Sequence, residues 1–204
     1  MENWKNTKFP VAGIILAAGA ASRMGQPKLL LPWRGQSLIS HVARTALWGG
    51  LDPVVVVTGS AAEKIRAALA GFHVRLIHNP AWKAGQSTSV RAGILALPDK
   101  VDAALFLLGD QPFILPELIR ALVKKYLETR PSILAPFVGD RRANPVLFDR
   151  SMFGALRALQ GDAGGRSLFK DHPPEPMPWP DERLLLDIDT PDDYRSLVRS
   201  SEDG

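Results

Sequence analysis

The sequence predicts an α/β fold: a three-layer sandwich around a mixed, mainly parallel sheet. Short apolar runs alternate along the chain with stretches whose apolar residues recur at helical spacing, as in strands joined by crossover helices. The run Val11–Ala17 reads as the first, central strand. The run Ala103–Leu108 is continuously apolar, which is typical of a strand buried on both faces.

Length and composition fit one globular domain. The chain has 204 residues, which a single hydrophobic core can accommodate. Hydrophobic residues make up 46% of the chain and charged residues 23%, a balance too apolar for a disordered protein. We predict an N-terminal extension at residues 1–10 and one domain at 11–204, because no repeat or long linker divides the remainder.

Several classes of function are disfavoured by composition. The chain has no Cys, which excludes disulfides, zinc–thiolate sites and thiol nucleophiles. Its net charge of +4 favours anionic ligands, but no run of Lys and Arg resembles a nucleic-acid-binding arm. No apolar run approaches the roughly 18 residues of a membrane span, and the N-terminus is polar. We expect a cytoplasmic protein that binds small phosphates, with neither nucleic acid nor membrane as partner.

After the first strand, the first half of the chain continues to alternate helices and strands. The helix Leu38–Trp48 ends at a glycine pair, and a Val-rich strand follows at 53–58. Strong helix formers predict a helix at 61–70, stopped by a glycine. A short strand is expected at 74–77, and a helix at 87–97 that is capped near its first serine.

The second half begins with the strand 103–108. Pro at the first position supports a helix at Pro116–Thr129. A polar Gly-Asp turn predicts that the strand 132–136 has a hairpin partner at 144–148. The remaining predicted elements are a helix at 152–159, a Pro-rich bend at 173–180, a strand at 184–188 and a helix from Pro191 onward.

The loop that follows the first strand has the composition of a phosphate-binding loop. Residues 18–28 include two glycines and several small residues, which let backbone N–H groups approach a phosphate chain closely. Arg23 and Lys28 add two positive charges with no acid between them. The spacing matches neither the P-loop nor the dinucleotide-binding fingerprint. We expect the loop to hold a triphosphate; an ordinary solvated loop is the alternative for this segment alone.

Asp110 follows directly on the apolar strand 103–108, in the sequence Gly-Asp-Gln-Pro. Its carboxylate should therefore lie at the same sheet edge as the phosphate-binding loop, where open α/β sheets bind ligands. A carboxylate at that edge can hold Mg²⁺ against phosphates. The alternative is a turn or cap residue before the proline, a role that Asp often fills.

Together these motifs resemble those of the MobA-like nucleotidyltransferases. Within that family they are most similar to the molybdenum cofactor cytidylyltransferases. One departure is Ala21, at a position where the family often has serine. The resemblance extends from residue 11 to about residue 198. The segments that carry it are 16–19, 23–25, Lys28, 85–89, 109–112, 144–146, 161–166 and 187–191.

The resemblance implies a fold like that of the nucleotide-diphospho-sugar transferases, which is Rossmann-like. It implies Mg²⁺-dependent transfer of CMP from CTP to the terminal phosphate of molybdopterin, with release of pyrophosphate. Arg23 and Lys28 would hold the triphosphate, and Asp110 and Asp189 would bind the metal ion. We therefore expect Arg23, Lys28 and Asp110 to be the catalytic residues. A molybdoenzyme or its chaperone is a possible further partner.

Other expected contacts follow the same motifs. Ala18 stands where guanylyl-transferring relatives usually carry glycine, so the resemblance favours cytosine over guanine. Gln86, Ser87 and Ser89 lie around a predicted helix N-terminus, where free N–H groups favour a base carbonyl or a phosphate, although simple capping by Ser87 is the alternative. The remaining expected contacts are Leu16, Ala17 and Gly19 to the nucleotide, and Asn144 and Arg166 to the acceptor.

Several alternatives stay open at this stage. Transfer from GTP, transfer to a sugar or polyol phosphate, and a non-catalytic molybdenum cofactor carrier are the competing functions. Asp187 competes with Asp189 as metal ligand, since alternation along the predicted strand puts both on one face, and either could instead cap the following helix. Arg166 lies in a glycine-rich segment that could be a flexible flap or a solvent loop. The four histidines lack metal-ligand spacing and are assigned no chemistry.

Overall fold

The computed structural model describes residues 11–19 and 27–202. Strand β1 (Val11–Ala17) lies in the interior of an eight-stranded sheet. Apart from Leu16, every residue of β1 is buried, because the strand is covered on both faces. It pairs in parallel with β4 (Val54–Thr58) and with β6 (Ala103–Leu108). Beyond β4 the sheet ends at β5 (Arg75–His78), again in parallel. The ends of β1 and β6 therefore emerge side by side at one edge.

The other half of the sheet is mixed. Strand β9 (Val146–Asp149) runs antiparallel to β6 and to β7 (Ile133–Val138), and β8 (Arg141–Arg142) folds back on β7. At the edge, β10 (Glu175–Pro178) pairs in parallel with β7. The strand order is thus β10-β7-β9-β6-β1-β4-β5, which confirms the predicted mixed, mainly parallel sheet.

Helices form the outer layers and bury two apolar clusters against the sheet. On one face Ile15 packs with apolar residues of α1 (Leu38–Trp48), α2 (Ala62–Ala68) and α4 (Pro116–Thr129). On the other face Ile14 packs with α3 (Gln86–Leu95) and α5 (Phe153–Ala158). Adjacent residues of β1 reach opposite clusters because side chains alternate along a strand. This is the three-layer sandwich that the sequence predicts.

A third apolar cluster places the C-terminal segment. The hairpin of β2 (Pro32–Trp33) and β3 (Gln36–Ser37) carries Trp33, which packs with Ile188 and with Leu197 of α6 (Pro191–Glu202). The segment before α6 is therefore fixed beside the loop that follows β1. Within the described residues, no helix is long and apolar enough to cross a membrane.

Two predicted elements near the C-terminus are wrong. Residues Glu182–Leu185 form a 3-10 helix and the strand expected at 184–188 is absent, because Ile188 packs into the third cluster while Leu186 is exposed. The expected bend at 173–180 contains the edge strand β10, whose two prolines are tolerated because an edge strand need not donate every N–H. Strand alternation therefore cannot explain how Asp187 and Asp189 are oriented.

Gly93→Ala tests how closely α3 is seated on β1. A Cβ atom at Gly93 would lie 2.6 Å from Cγ2 of the buried Ile14, so the helix must move. We expect a loss of about 1 to 3 kcal/mol in the free energy of unfolding, despite the higher helix propensity of alanine. The matched control is Gly154→Ala in α5, where nothing lies within 4 Å of the added Cβ. Urea unfolding measures the free energy of unfolding of both variants. An equal change in the two variants would contradict the close packing of α3 on β1.

Candidate functional site

Lys28 joins three segments at the edge where β1 and β6 end. Its Nζ lies 2.5 Å from Oδ2 of Asp110 and 2.9 Å from Oδ1 of Asp189. Asp110 follows β6, and Lys28 begins a short 3-10 helix after the loop that leaves β1. Burial works to lower the pKa of Lys28, but the carboxylates of Asp110 and Asp189 outweigh it and raise that pKa above its ordinary value. Lys28 therefore stays protonated, as a positively charged ammonium group.

A third carboxylate lies beside this pair. The buried Gln111 donates from Nε2 to Oδ1 of Asp187 over 2.5 Å. Burial raises the pKa of Asp187, and the negative charges of Asp110 and Asp189 raise it further. Three carboxylates thus share one region with the ammonium of Lys28, which makes the region receptive to additional positive charge.

The donors in this region fit a divalent metal ion. Asp110 and Asp189 offer hard carboxylate oxygens that converge on one point, the position of the Lys28 ammonium. Within residues 11–19 and 27–202, no cluster of three or more His, Asp or Glu forms a ready-made metal site. Two carboxylates nevertheless suit Mg²⁺, which keeps several waters and takes other ligands from substrate phosphates. Asp110 and Asp189 are therefore the residues that would hold such an ion.

Two cavities open beside the ends of β1 and β6. The Lys28 cavity has a volume of about 500 Å³ and is lined by residues that include Ala18, Lys28 and Asp110. The Arg142 cavity has a volume of about 430 Å³ and is lined by residues that include Arg142 and Asp187. Both cavities share the side chains Leu16, Gln86 and Leu108 as a common wall. Ligands in the two cavities would thus face each other across the strand ends.

Most residues predicted for the site line one of these cavities. Asn144 and Arg166 line the Arg142 cavity, and Arg23 lies outside the described residues, as does Ala21. The residues predicted to contact nucleotide that line the Lys28 cavity are Leu16, Ala17, Ala18, Gly19, Lys28, Gln86 and Asp110.

Ser87 does not line either cavity, although it is predicted to contact the nucleotide. The residue is 1% exposed, and its backbone N–H donates to the carbonyl of Gly161. Ser89, two residues further along α3, lines the Lys28 cavity instead. The N-terminus of α3 does reach the cavity, but at Gln86 rather than through the hydroxyl of Ser87.

The glycine-rich segment before Arg166 is packed against the rest of the site. A Cβ atom at Gly164 would lie 2.6 Å from Oε1 of Gln86, and one at Gly165 would lie 2.6 Å from Cζ of Phe148. The residues Gly165–Lys170 form a 3-10 helix. The segment is therefore packed against α3 and the core at Gly164 and Gly165, while Arg166 itself is exposed.

His41 has a positioning role that its sequence context did not indicate. A carbonyl can only accept, so Nε2 of His41 donates to Pro112 over 3.0 Å, and Nδ1 of the neutral ring accepts from Nε2 of Gln36 over 3.2 Å. The ring also packs edge-on against Trp33, with centroids 4.5 Å apart. These contacts tie α1 to the turn that contains Asp110. Tertiary packing creates this role, so no local sequence pattern signals it.

Comparison with known proteins identifies the family of the chain. Residues 13–176 match the MobA-like NTP transferase domain, which is well over half of the chain. The chain belongs to this family. It is a nucleotidyltransferase of the MobA-like kind, and its fold is that of the nucleotide-diphospho-sugar transferases.

Three curated relatives cover nearly the whole nucleotidyltransferase chain. Nicotine blue oxidoreductase of Paenarthrobacter nicotinovorans is 34% identical over 95% of this chain and 99% of its own. Purine catabolism protein PucB of Bacillus subtilis is 31% identical over 92% of this chain and 96% of its own. The molybdenum cofactor cytidylyltransferase of Escherichia coli is 27% identical, over 89% and 92%.

Solved structures show the same fold. Rv0371c from Mycobacterium tuberculosis superposes with a TM-score of 0.85 at 29% identity, covering 95% of this chain and all of its own. A second structure of Rv0371c, in complex with manganese, gives a TM-score of 0.78 at the same identity and coverage.

His41→Gln tests the contact between α1 and the Asp110 turn. Burial, and to a smaller degree the charges of Arg34 and Arg44, lower the pKa of His41. The unfolded chain therefore takes up a proton at this position more readily than the folded protein. The stability contributed by neutral His41 is fully present above the ordinary histidine pKa of about 6.5, and it is lost as the pH falls below that value through the lowered pKa of the folded protein. Denaturant unfolding between pH 7 and pH 5 should show a steeper loss for wild type than for His41→Gln; parallel curves would contradict the assignment.

Proposed function

We propose that this nucleotidyltransferase transfers CMP from CTP to the terminal phosphate of molybdopterin, with Mg²⁺ held by Asp110 and Asp189. The observation that carries the proposal is the pair of cavities that meet at Leu16, Gln86 and Leu108. The Lys28 cavity would suit an anionic substrate once a metal ion offsets the carboxylates beside Lys28, and the Arg142 cavity suits one through its guanidinium groups. Two phosphorylated molecules could thus be brought together at the strand ends.

The Lys28 cavity suits the nucleotide. The backbone of residues 17–19 leaves β1 at the cavity wall, where small side chains permit close approach of a phosphate chain. Lys28 would contact the triphosphate, and Arg23, which lies outside the described residues, would add a second positive charge. The choice of CTP is supported by Ala18 and by the name of the Escherichia coli relative.

The Arg142 cavity suits a phosphorylated acceptor. Arg142 and Arg166 line it together with the amide of Asn144. Burial lowers the pKa of Arg142, and the charge of Arg166 lowers it further. The positive charges of the two guanidinium groups repel each other, and a dianion that binds between or beside them offsets this repulsion. The cavity therefore has the charge that the phosphate of molybdopterin requires.

In the proposed reaction the acceptor phosphate oxygen forms a bond to the α-phosphorus of CTP as the bond to the bridging oxygen of pyrophosphate breaks. A phosphate monoester has its second pKa near 6, so the nucleophile is largely ionised at neutral pH and needs no strong base. Lys28 would stabilise the charge that develops on the leaving pyrophosphate. When bound, the metal ion supplies further charge neutralisation at the phosphates.

A second candidate comes from the relative that is 34% identical, whose name is that of an oxidoreductase. In this alternative the chain would reduce a conjugated dye or quinone with a reduced nicotinamide or flavin nucleotide. The site argues for transfer instead, since hydride transfer makes no use of a lysine shared by two carboxylates at a strand edge.

One assay separates these functions. Pyrophosphate release is measured with each of the four ribonucleoside triphosphates against molybdopterin, a sugar phosphate and a polyol phosphate. The proposal predicts release with CTP and molybdopterin. Release with another pair would replace the proposed substrates. Binding of molybdopterin without release would favour a cofactor carrier, and oxidation of a reduced nucleotide coupled to dye reduction, again without release, would favour the oxidoreductase.

Asp110→Ala should nearly abolish pyrophosphate release while leaving the protein folded. The substitution removes one of the two carboxylates proposed for the metal ion, at the edge of the sheet rather than in the core. Asp99→Ala is the matched control, because the carboxylate of Asp99 is fully exposed. Turnover and melting temperature are measured for both variants. Near-normal turnover of Asp110→Ala with a normal melting temperature would refute the metal assignment.

Ala18→Gly should shift nucleotide preference from CTP partly toward GTP. Ala18 is buried and lines the Lys28 cavity. Gly59 packs closely against its backbone, since a Cβ atom at Gly59 would lie 2.4 Å from the Ala18 carbonyl oxygen. A single methyl group in a pocket is worth about 1 to 3 kcal/mol, so we expect a partial change. Competition between CTP and GTP with molybdopterin measures the ratio; an unchanged ratio would show that Ala18 does not select the base.

A further inference from the structure

Among the residues that the structure describes, Arg142 has neither a capping hydrogen bond nor an ion pair that would explain its position. Its Cζ is 4.6 Å from the centroid of the Phe169 ring, over the ring face. The side chain borders the Arg142 cavity, where Arg166 also lies. Burial and the neighbouring positive charge both lower the pKa of Arg142, so the folded protein keeps two guanidinium groups together at a free-energy cost. An oxyanion in the cavity would offset that cost.

Phe169 is itself fixed by the core. Its ring stacks on Phe148 with centroids 6.2 Å apart and planes 18° apart. Phe148 packs edge-on against Phe106 at 5.6 Å, and both are buried in the sheet, on β9 and β6. Gly165 allows this contact, because a Cβ there would lie 2.6 Å from Cζ of Phe148. A continuous series of rings therefore runs from the core to the guanidinium of Arg142.

We propose that Phe169 is the positioning residue that presents Arg142 to a phosphate monoester in the oxyanion subsite formed by Arg142 and Arg166. A guanidinium that lies over an aromatic ring keeps its N–H edge available for bidentate contact with an oxyanion, which a lysine cannot reproduce. The subsite deepens the proposed function and rests on it only for the identity of the natural ligand, a phosphorylated acceptor.

The test uses inorganic phosphate as the probe and calorimetric titration of the full chain as the readout. Arg142→Lys should weaken phosphate binding about tenfold, since it loses the bidentate contact. Phe169→Leu should weaken it about threefold, whereas Phe169→Tyr, which keeps the ring, should bind like wild type. Arg157→Ala removes an equal charge from an exposed position outside the cavity and should have no effect.

Two results would overturn the subsite. If Phe169→Leu binds phosphate like wild type, the ring does not position Arg142. If Lys28→Ala abolishes phosphate binding and Arg142→Lys does not alter it, phosphate binds only in the Lys28 cavity. Melting temperatures establish that each variant is folded, and Arg142→Lys keeps the test decisive if Phe169→Leu unfolds. Because the titration needs neither CTP nor molybdopterin, its outcome is independent of the pyrophosphate assay.

Discussion

The ion pairs of Lys28 are the interaction on which the arrangement of the site depends. They connect the loop after β1 to the end of β6 and to a residue 161 positions further along the chain. The two pairs differ in strength, because the side chain of Asp110 is 19% exposed and that of Asp189 is 56% exposed. Solvent screens an exposed pair, so the contact with Asp110 contributes more to stability. The weaker contact with Asp189 is the one that a bound cation could more readily replace.

The sheet places Asp110, whereas other forces place Asp189. Asp110 lies at the edge because β6 pairs in parallel with β1. Asp189 is held by a reciprocal helix cap: the Asp193 carboxylate accepts from the N–H groups of Asp189 and Thr190, while the Thr190 hydroxyl accepts from the N–H of Asp193. The hydroxyl of Tyr194 also donates to the carbonyl of Pro32 over 2.6 Å. The second carboxylate thus comes from a segment beyond residue 176, where the family match ends.

The parts of the molecule that could be predicted from sequence are those with a local physical signal. The apolar run 103–108 and the helix Pro116–Thr129 were predicted at their observed bounds, since burial and proline placement mark them directly. Parallel strands end at one edge of a sheet, and this rule predicts that Lys28 and Asp110 lie close together, as they do. The contact of His41 with Pro112 and the seating of Phe169 under Arg142 arise between distant elements, so no window of sequence reveals them. The segment 184–188 has strand-like composition, but Leu184 packs into the first apolar cluster and Ile188 into the third, so the segment does not pair with the sheet.

The most direct test of the account is a crystal structure of the protein with CTP and Mn²⁺, in which anomalous scattering locates the ion. The account predicts the triphosphate in the Lys28 cavity and the ion on the carboxylates of Asp110 and Asp189, with the ammonium of Lys28 moved from between them toward the phosphates. A nucleotide bound in the Arg142 cavity, or an ion that contacts neither aspartate, would contradict it.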